Sequence, residues 1–276
     1  MAPASDKRRP ILGVSTKMYF TLSKTRSYVD ELLTLLAADD NKSITDKIDL
    51  FVCPDTLSLP SVVEQVHSAG LPLLPGAQDC ADTDYGAFTG FTSPAVLADV
   101  GARLVEVGHA ERRRLLGETD ATTAAKAKAA VKNGLIPLVC VGEIAAPESD
   151  ATEEEGFRGA AAAAASTVIA QIAPVLESVP DDAEVLLAYE PVWAIGAAQP
   201  ASAAYVRAVV SCIRDKSPAI QRRGAARTRI LYGGSAGPGL FEQLGGAVDG
   251  LFLGRFGHDP KQFLKTAHEV AGTSSW

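Results

Sequence analysis

Residues 11–20 read ILGVSTKMYF, and this stretch separates two α/β architectures. Residues 11–16 form a short β-branched and apolar run that stops at Lys17. In a doubly wound sheet the first strand feeds a glycine-rich turn that lets the backbone approach a pyrophosphate. Here the turn begins Lys17-Met18-Tyr19, which is no such fingerprint. Beyond it the pattern alternates between short apolar runs and longer amphipathic stretches. Strands are predicted at 11–16, 48–53, 71–77, 104–107, 135–141, 184–189, 228–232 and 251–253. Helices are predicted near 23–38, 58–69, 93–100, 121–133, 156–176, 201–216, 238–245 and 259–271. Strict alternation implies parallel strands joined by right-handed crossovers. Eight such units in about 250 residues match the size of a (β/α)8 barrel. The expected fold is therefore α/β, a barrel of eight parallel strands. No linker divides the chain, so residues 1–276 are read as a single barrel domain, with 1–9 as a flexible N-terminal extension.

Composition agrees with a folded globule. The 276 residues are 47% hydrophobic and 21% charged, enough to bury a large core. Basic residues number 26 against 33 acidic, a net charge of −7. The basic clusters stop at Arg112–Arg114 and Arg222–Arg223, which argues against a nucleic-acid surface. The four cysteines, Cys53, Cys80, Cys140 and Cys212, show no CxxC spacing and no histidine pairs. They read as buried reduced thiols, and no metal site is expected. The N-terminal MAPASDKRRPIL precedes an apolar run of only six residues, which resembles neither a secretory signal nor a membrane span. A cytoplasmic protein without membrane contact is expected. Thr152 and Glu155 have the spacing of a capping box before the fifth helix, and the alanines at 160–165 are good helix formers.

In a (β/α)8 barrel the site gathers where the strands end. The first strand ends at Lys17, the fourth runs into EVGHAERRRLLGETD with His109, and the sixth runs into AYEPVWAIGAAQPA with Glu190. The seventh ends in YGGSAGPG and the eighth in FLGRFG. Taken singly, Lys17 reads as a snorkelling rim lysine, His109 as a capping or core histidine and Glu190 as a loop charge. The glycines read as tight turns. Their coincidence on one rim favours chemistry. A carboxylate can take a proton from a carbon beside a carbonyl if an imidazole and an ammonium stabilise the developing charge. Glycine turns can cradle a phosphate with backbone N–H groups. The implied reaction is proton shuttling through an enediol on a small phosphorylated hydroxycarbonyl compound. No dinucleotide fingerprint or metal-ligand cluster is seen, so no cofactor is expected.

These segments, with GAQDC, GAFTG and LIPLVCVGE, occur in an order that resembles the triosephosphate isomerase family over about residues 11 to 260. The resemblance implies a TIM barrel and an isomerase with Glu190 as base, His109 as electrophile and Lys17 as electrostatic anchor, with Glu111 as its neighbour. It implies a mobile lid over 191–201, including Pro191, Val192, Trp193, Ala198 and Ala201, latched by Tyr232. Gly196, Ser235 and Gly254 would bind phosphate, with Arg255 beside them. Thr89 would lie in a loop that inserts into a partner subunit, implying a homodimer.

Several positions depart from the family pattern. The family commonly reads Gly-Asn-Trp-Lys-Met-Asn where this chain has Val14-Ser15-Thr16-Lys17-Met18-Tyr19. Ser15 thus replaces a substrate-contacting asparagine. The lid tip reads Gly196-Ala197-Ala198-Gln199-Pro200-Ala201, Arg255 replaces a glycine, Phe91 a glutamate and Asp79 an asparagine. With the catalytic trio intact, this editing points to a changed substrate, and the edited set resembles family members that isomerise erythrulose phosphates in tetritol catabolism. The alternatives are an ordinary glycolytic triosephosphate isomerase and a non-catalytic phosphate-binding barrel.

Overall fold

The computed structural model describes residues 9–147, 157–224 and 226–272. Eight strands run β1 Ile11–Ser15, β2 Asp49–Cys53, β3 Leu73–Ala77, β4 Leu104–Val107, β5 Ile136–Val141, β6 Val185–Tyr189, β7 Thr228–Tyr232 and β8 Gly250–Leu253. Each pairs in parallel with the next, and β8 returns to β1 in the register Ile11 opposite Gly250, closing the barrel. All eight expected strands are present, the largest shift being the start of β3 at Leu73 rather than 71. The sequence calls for eight helices, and among the described residues there are eleven: α1 Leu22–Ala37, α2 Lys42–Lys47, α3 Leu59–Ala69, α4 Pro94–Val100, α5 Ala110–Leu116, α6 Asp120–Lys132, α7 Arg158–Ser178, α8 Ala203–Lys216, α9 Pro218–Arg223, α10 Leu240–Gln243 and α11 Pro260–Val270. The short α2, α5 and α9 are additions. α9 starts on a Ser217 cap with proline at the first helical position, a signal present in the sequence. The helix expected over 238–245 shrinks to four residues, because Gly239, Gly245 and Gly246 take positive φ around it. The capping box at Thr152 and Glu155 lies outside the described residues.

Two cores share the strands. Inward-facing Ile11, Phe51, Leu104, Leu138, Leu186, Leu231 and Phe252 fill the barrel. Gly13 leaves room for them, since a Cβ there would sit 2.0 Å from the Phe51 ring. Outward residues such as Val52, Val105, Val139 and Ile230 pack on the helices in a larger second core. At about 1.5–3 kcal/mol per buried aliphatic side chain, most of the stabilisation lies in that sheet–helix layer. Helix α7 has the length and apolarity to cross a membrane. Here it packs between α6 and α8 and buries Val168, Ile172, Val175 and Leu176.

The barrel's two ends differ chemically. At the end where the strands begin, the buried Arg229 pairs with Asp49 at 2.6 Å and with Glu184. Its Nη1 also donates to the Arg9 carbonyl. Arg9 in turn donates to the carbonyls of Thr45 and Ile48. Arg9, the last residue of the expected extension over 1–9, is held by these bonds; residues 1–8 lie outside the described residues. Cys53, Cys80 and Cys140 are buried, and all four cysteines are free thiols.

Candidate active site

Where β1 ends, the backbone turns sharply: Lys17 adopts a left-handed φ of 48°. That conformation is unfavourable for a residue with a side chain, by about 1–2 kcal/mol. Gln78 of the GAQDC segment offsets it by donating to the carbonyls of Lys17 and Cys53 at 3.1 and 3.0 Å and to the Thr16 hydroxyl. The turn aims Lys17 across the barrel mouth, where its Nζ meets Glu111 Oε1 at 2.8 Å. Burial acts to lower the lysine's pKa. The Glu111 hydrogen bond and the charges of Glu190 and Glu106 outweigh it, so the net shift is upward.

His109 follows Gly108, which has φ 70°, and caps the N-terminus of α5. Its Nδ1 accepts the Glu111 backbone N–H at 3.2 Å. A neutral ring must then carry its proton on Nε2, which lies 3.5 Å from Glu190 Oε2. Burial, then the Lys17 charge, hold the imidazole's pKa down to about 4. Glu190 follows β6 and is equally buried. Gly233 makes room for it, since a Cβ there would lie 2.6 Å from its Oε1. Burial, reinforced by Glu106 and opposed by Lys17, pushes the Glu190 carboxyl up to about 8. No hydrogen-bond donor among the described residues reaches its Oε2.

The segment expected to act as a lid, residues 191–201, is pinned at several points. Val192–Ala194 form a 3-10 turn after Pro191. Trp193 Nε1 donates to Glu143 at 3.0 Å, and the hydroxyls of Tyr189 and Tyr205 reach the same carboxylate. Ser235, with φ 56°, donates its hydroxyl to the carbonyls of Ala194 and Ala197 at 2.9 and 3.2 Å. Tyr232 Oη accepts the Ala201 N–H at 3.0 Å. Arg255 Nη2 donates to the Gly196 carbonyl at 3.4 Å, and Gly254 opens the turn that Arg255 begins.

One pocket of about 700 Å³ brings together Lys17, His109, Glu190, Gly196, Ala198, Ser235, Gly254 and Arg255. Pro191, Val192, Trp193, Ala201 and Tyr232 support the lid behind it. The Ser235 hydroxyl is engaged by lid carbonyls, which leaves its backbone N–H for a ligand. Ser15 is 3% exposed and does not line the pocket; it lies beneath the floor. Thr89 sits at an exposed loop tip away from the site. Asp79, read as an edited position, has a structural partner set: buried Lys126 at 2.7 Å and Arg112 at 2.7 Å.

Two carboxylates escaped the sequence reading. Glu143 collects the lid-base hydroxyls and the indole. Glu106 faces into the barrel from β4, two residues beyond inward Leu104, and is 4% exposed. The Ser15 side chain hydrogen-bonds to it, and Cys140 Sγ approaches its Oε1 at 3.8 Å. Burial pushes its pKa up to about 7, against the pull of Lys17. A charged residue inside the otherwise apolar run Leu104-Val105-Glu106-Val107 is the signal that would have found it.

Among the described residues no group of three or more His, Cys, Asp or Glu side chains could hold a metal ion. A family model described as Triosephosphate isomerase matches residues 10–270. The chain is 43% identical over 273 residues to an L-erythrulose-1-phosphate isomerase of Pectobacterium atrosepticum, covering 98% of this chain and 99% of the relative. It is 38% identical to the protein of that name in Rhizobium meliloti, over 94% and 96% of the two chains. It is 36% identical to a triosephosphate isomerase of Chloroflexus aurantiacus, over 95% and 99%. With that match across nearly its whole length, the chain belongs to the triosephosphate isomerase family and is an isomerase.

Proposed function

We propose that this isomerase moves the carbonyl of erythrulose 1-phosphate by one carbon, giving the tetrulose 4-phosphate, with Glu190, His109 and Lys17 as its catalytic residues. Glu190 removes the proton from C3, and the electron pair left there forms the C2–C3 double bond as charge moves to O2. The Nε2–H of neutral His109 and the Lys17 ammonium stabilise that oxygen. A single preorganised donor at such an oxyanion is worth about 2.7–4 kcal/mol. The imidazole carries the proton between O2 and O3, and protonated Glu190 returns its proton to C2. The carbonyl then stands at C3, and no electron or atom has left the molecule. A carboxylate base beside an imidazole kept neutral is the pattern for which triosephosphate isomerase is itself the standard example.

The phosphate would sit between the β7 and β8 turns, held by backbone N–H groups of Gly196, Ser235 and Gly254, with Arg255 as the nearby cation. The observation that carries the chemistry is the approach of His109 Nε2 to Glu190 Oε2, at 3.5 Å in the floor of a pocket shared with Lys17. Support for the four-carbon substrate comes from Ser15, which stands where the family commonly has asparagine, and from the similarity to erythrulose-phosphate isomerases. The relative in Chloroflexus named a triosephosphate isomerase supports the second reading, interconversion of dihydroxyacetone phosphate and glyceraldehyde 3-phosphate. Steady-state assays with both substrates test the proposal. A larger kcat/KM on erythrulose 1-phosphate is expected; a larger value on glyceraldehyde 3-phosphate sinks it. We also read the chain as one barrel domain that pairs with a second copy through the loop carrying Thr89.

A further inference from the structure

Lys17 and Arg255 are the two cationic side chains that line the pocket. The Lys17 charge is taken up by Glu111 at 2.8 Å. Arg255 has no acidic partner among the described residues. It is exposed, and its one hydrogen bond runs from Nη2 to the Gly196 carbonyl at 3.4 Å. That is long against the usual range of about 2.7–3.2 Å, so the bond by itself holds Gly196 weakly.

The two ends of this bond differ in freedom. Arg255 opens the 3-10 turn Arg255–His258, whose backbone is fixed from below. The Tyr28 hydroxyl donates to the Gly257 carbonyl at 2.6 Å, and His258 Nε2 donates to the Ser15 carbonyl at 3.0 Å. The Phe256 ring packs over Gly237 in the β7 turn, where a Cβ would lie 3.3 Å from it. The Gly196 end belongs to the segment read as a lid. Gly196 has φ 73°, and residues 195–201 carry no charged side chain. Tyr232 and Ser235, which also bond to this segment, are neutral. Among the described residues, Arg255 is thus the contact between lid and barrel that responds to a ligand's charge.

We infer that Arg255 is a positioning residue that couples phosphate binding to closure of the lid. Its guanidinium is a planar fork of five N–H donors. With Nη2 on the Gly196 carbonyl, other donors remain for a phosphate between the β7 and β8 turns. A dianion that fixes the guanidinium spares the Gly196 bond the entropy of ordering a long side chain. The bond therefore strengthens as the site fills. The inference rests on the phosphorylated-substrate reading and holds for three or four carbons alike.

The test titrates the full-length chain with inorganic phosphate, in a Trp276→Phe background that leaves Trp193 as the single tryptophan. Calorimetry reads binding, and Trp193 emission reads the lid segment in which it lies. Wild type is expected to bind phosphate with a saturating change in emission. Arg255→Ala removes a charge-assisted bond, so affinity falls about 10- to 100-fold and the emission change at saturation shrinks. Arg255→Lys keeps the charge without the fork, so it recovers most of the affinity and little of the emission change. With the substrate that wild type prefers, Arg255→Lys lowers kcat more than it raises KM. Arg255 is exposed, so neither variant removes buried packing. Recovery of both readouts by lysine makes Arg255 a phosphate charge only and overturns the coupling. So does an unchanged alanine variant, or a wild type that binds phosphate without a change in emission. A wild type that binds no phosphate overturns the phosphate reading and this inference with it.

Discussion

His109 shows how a local hydrogen bond sets a chemical role. Because Nδ1 is occupied by the Glu111 N–H at the start of α5, the ring offers the pocket a donor rather than a base. Burial and Lys17 keep it neutral down to about pH 4. Glu190 has the opposite displacement, up to about 8, for the same primary reason, desolvation of the charged form. The sign for activity follows. Below about pH 8 the free enzyme holds Glu190 protonated and unable to accept, so kcat/KM rises with pH and levels off above that value. His109 adds no limb between pH 5 and 8, and Lys17 stays charged throughout. A pH–rate profile checks this; a limb near pH 6.5 that disappears in His109→Gln would show a titrating imidazole and overturn the assignment. Lys17, His109 and Glu190 could be singled out in the sequence because each stands within two residues of the end of an apolar run. Glu106 and Glu143 were not, since one is hidden within a strand and the other draws its partners from residues 46 to 62 positions away.

The segment from Pro191 to Ala201, which we read as a lid, is held by few contacts, and the hydrogen bond from the Ala201 N–H to the Tyr232 hydroxyl is one of them. In Tyr232→Phe the buried Ala201 N–H loses its acceptor, at about 1–3 kcal/mol. That penalty falls on the closed lid, so kcat/KM is expected to drop about tenfold or more, each 1.4 kcal/mol being a factor of ten. Steady-state kinetics with a parallel thermal melt checks it. An unchanged kcat/KM, or a loss matched by global unfolding, removes the latch. The elements themselves were largely readable. Strand and helix periodicity placed all eight strands, and proline and serine marked the start of α9. What was misjudged was the length near β8, where three glycines with positive φ cut α10 to a single turn.

Across the molecule, surface apolarity points to assembly. Met18 is 95% exposed, and Tyr85, Phe88 and Phe91 stand out around Thr89. The Phe88 and Phe91 rings, 6.1 Å apart, form an exposed apolar pair of the kind that serves a contact face. Sedimentation is expected to give twice the 28.8 kDa chain mass, and Phe91→Asp to shift it toward the single chain. A monomeric wild type at micromolar concentration contradicts the homodimer. The barrel follows from the sequence alone, because eight short apolar runs alternating with amphipathic stretches, with no glycine-rich fingerprint after the first, favour a closed parallel barrel at this length. So does the placement of Lys17, His109 and Glu190 near strand ends, which chain order sets. The tertiary structure alone decided the rest: which nitrogen of His109 faces Glu190, that the Ser235 hydroxyl serves the lid, and that Ser15, Glu106 and Cys140 form a polar layer beneath the pocket. Those relations depend on side chains from β1, β4, β5 and β6 meeting inside a closed barrel. No one-dimensional pattern encodes such distances, and they fix the electrostatics that the chemistry requires.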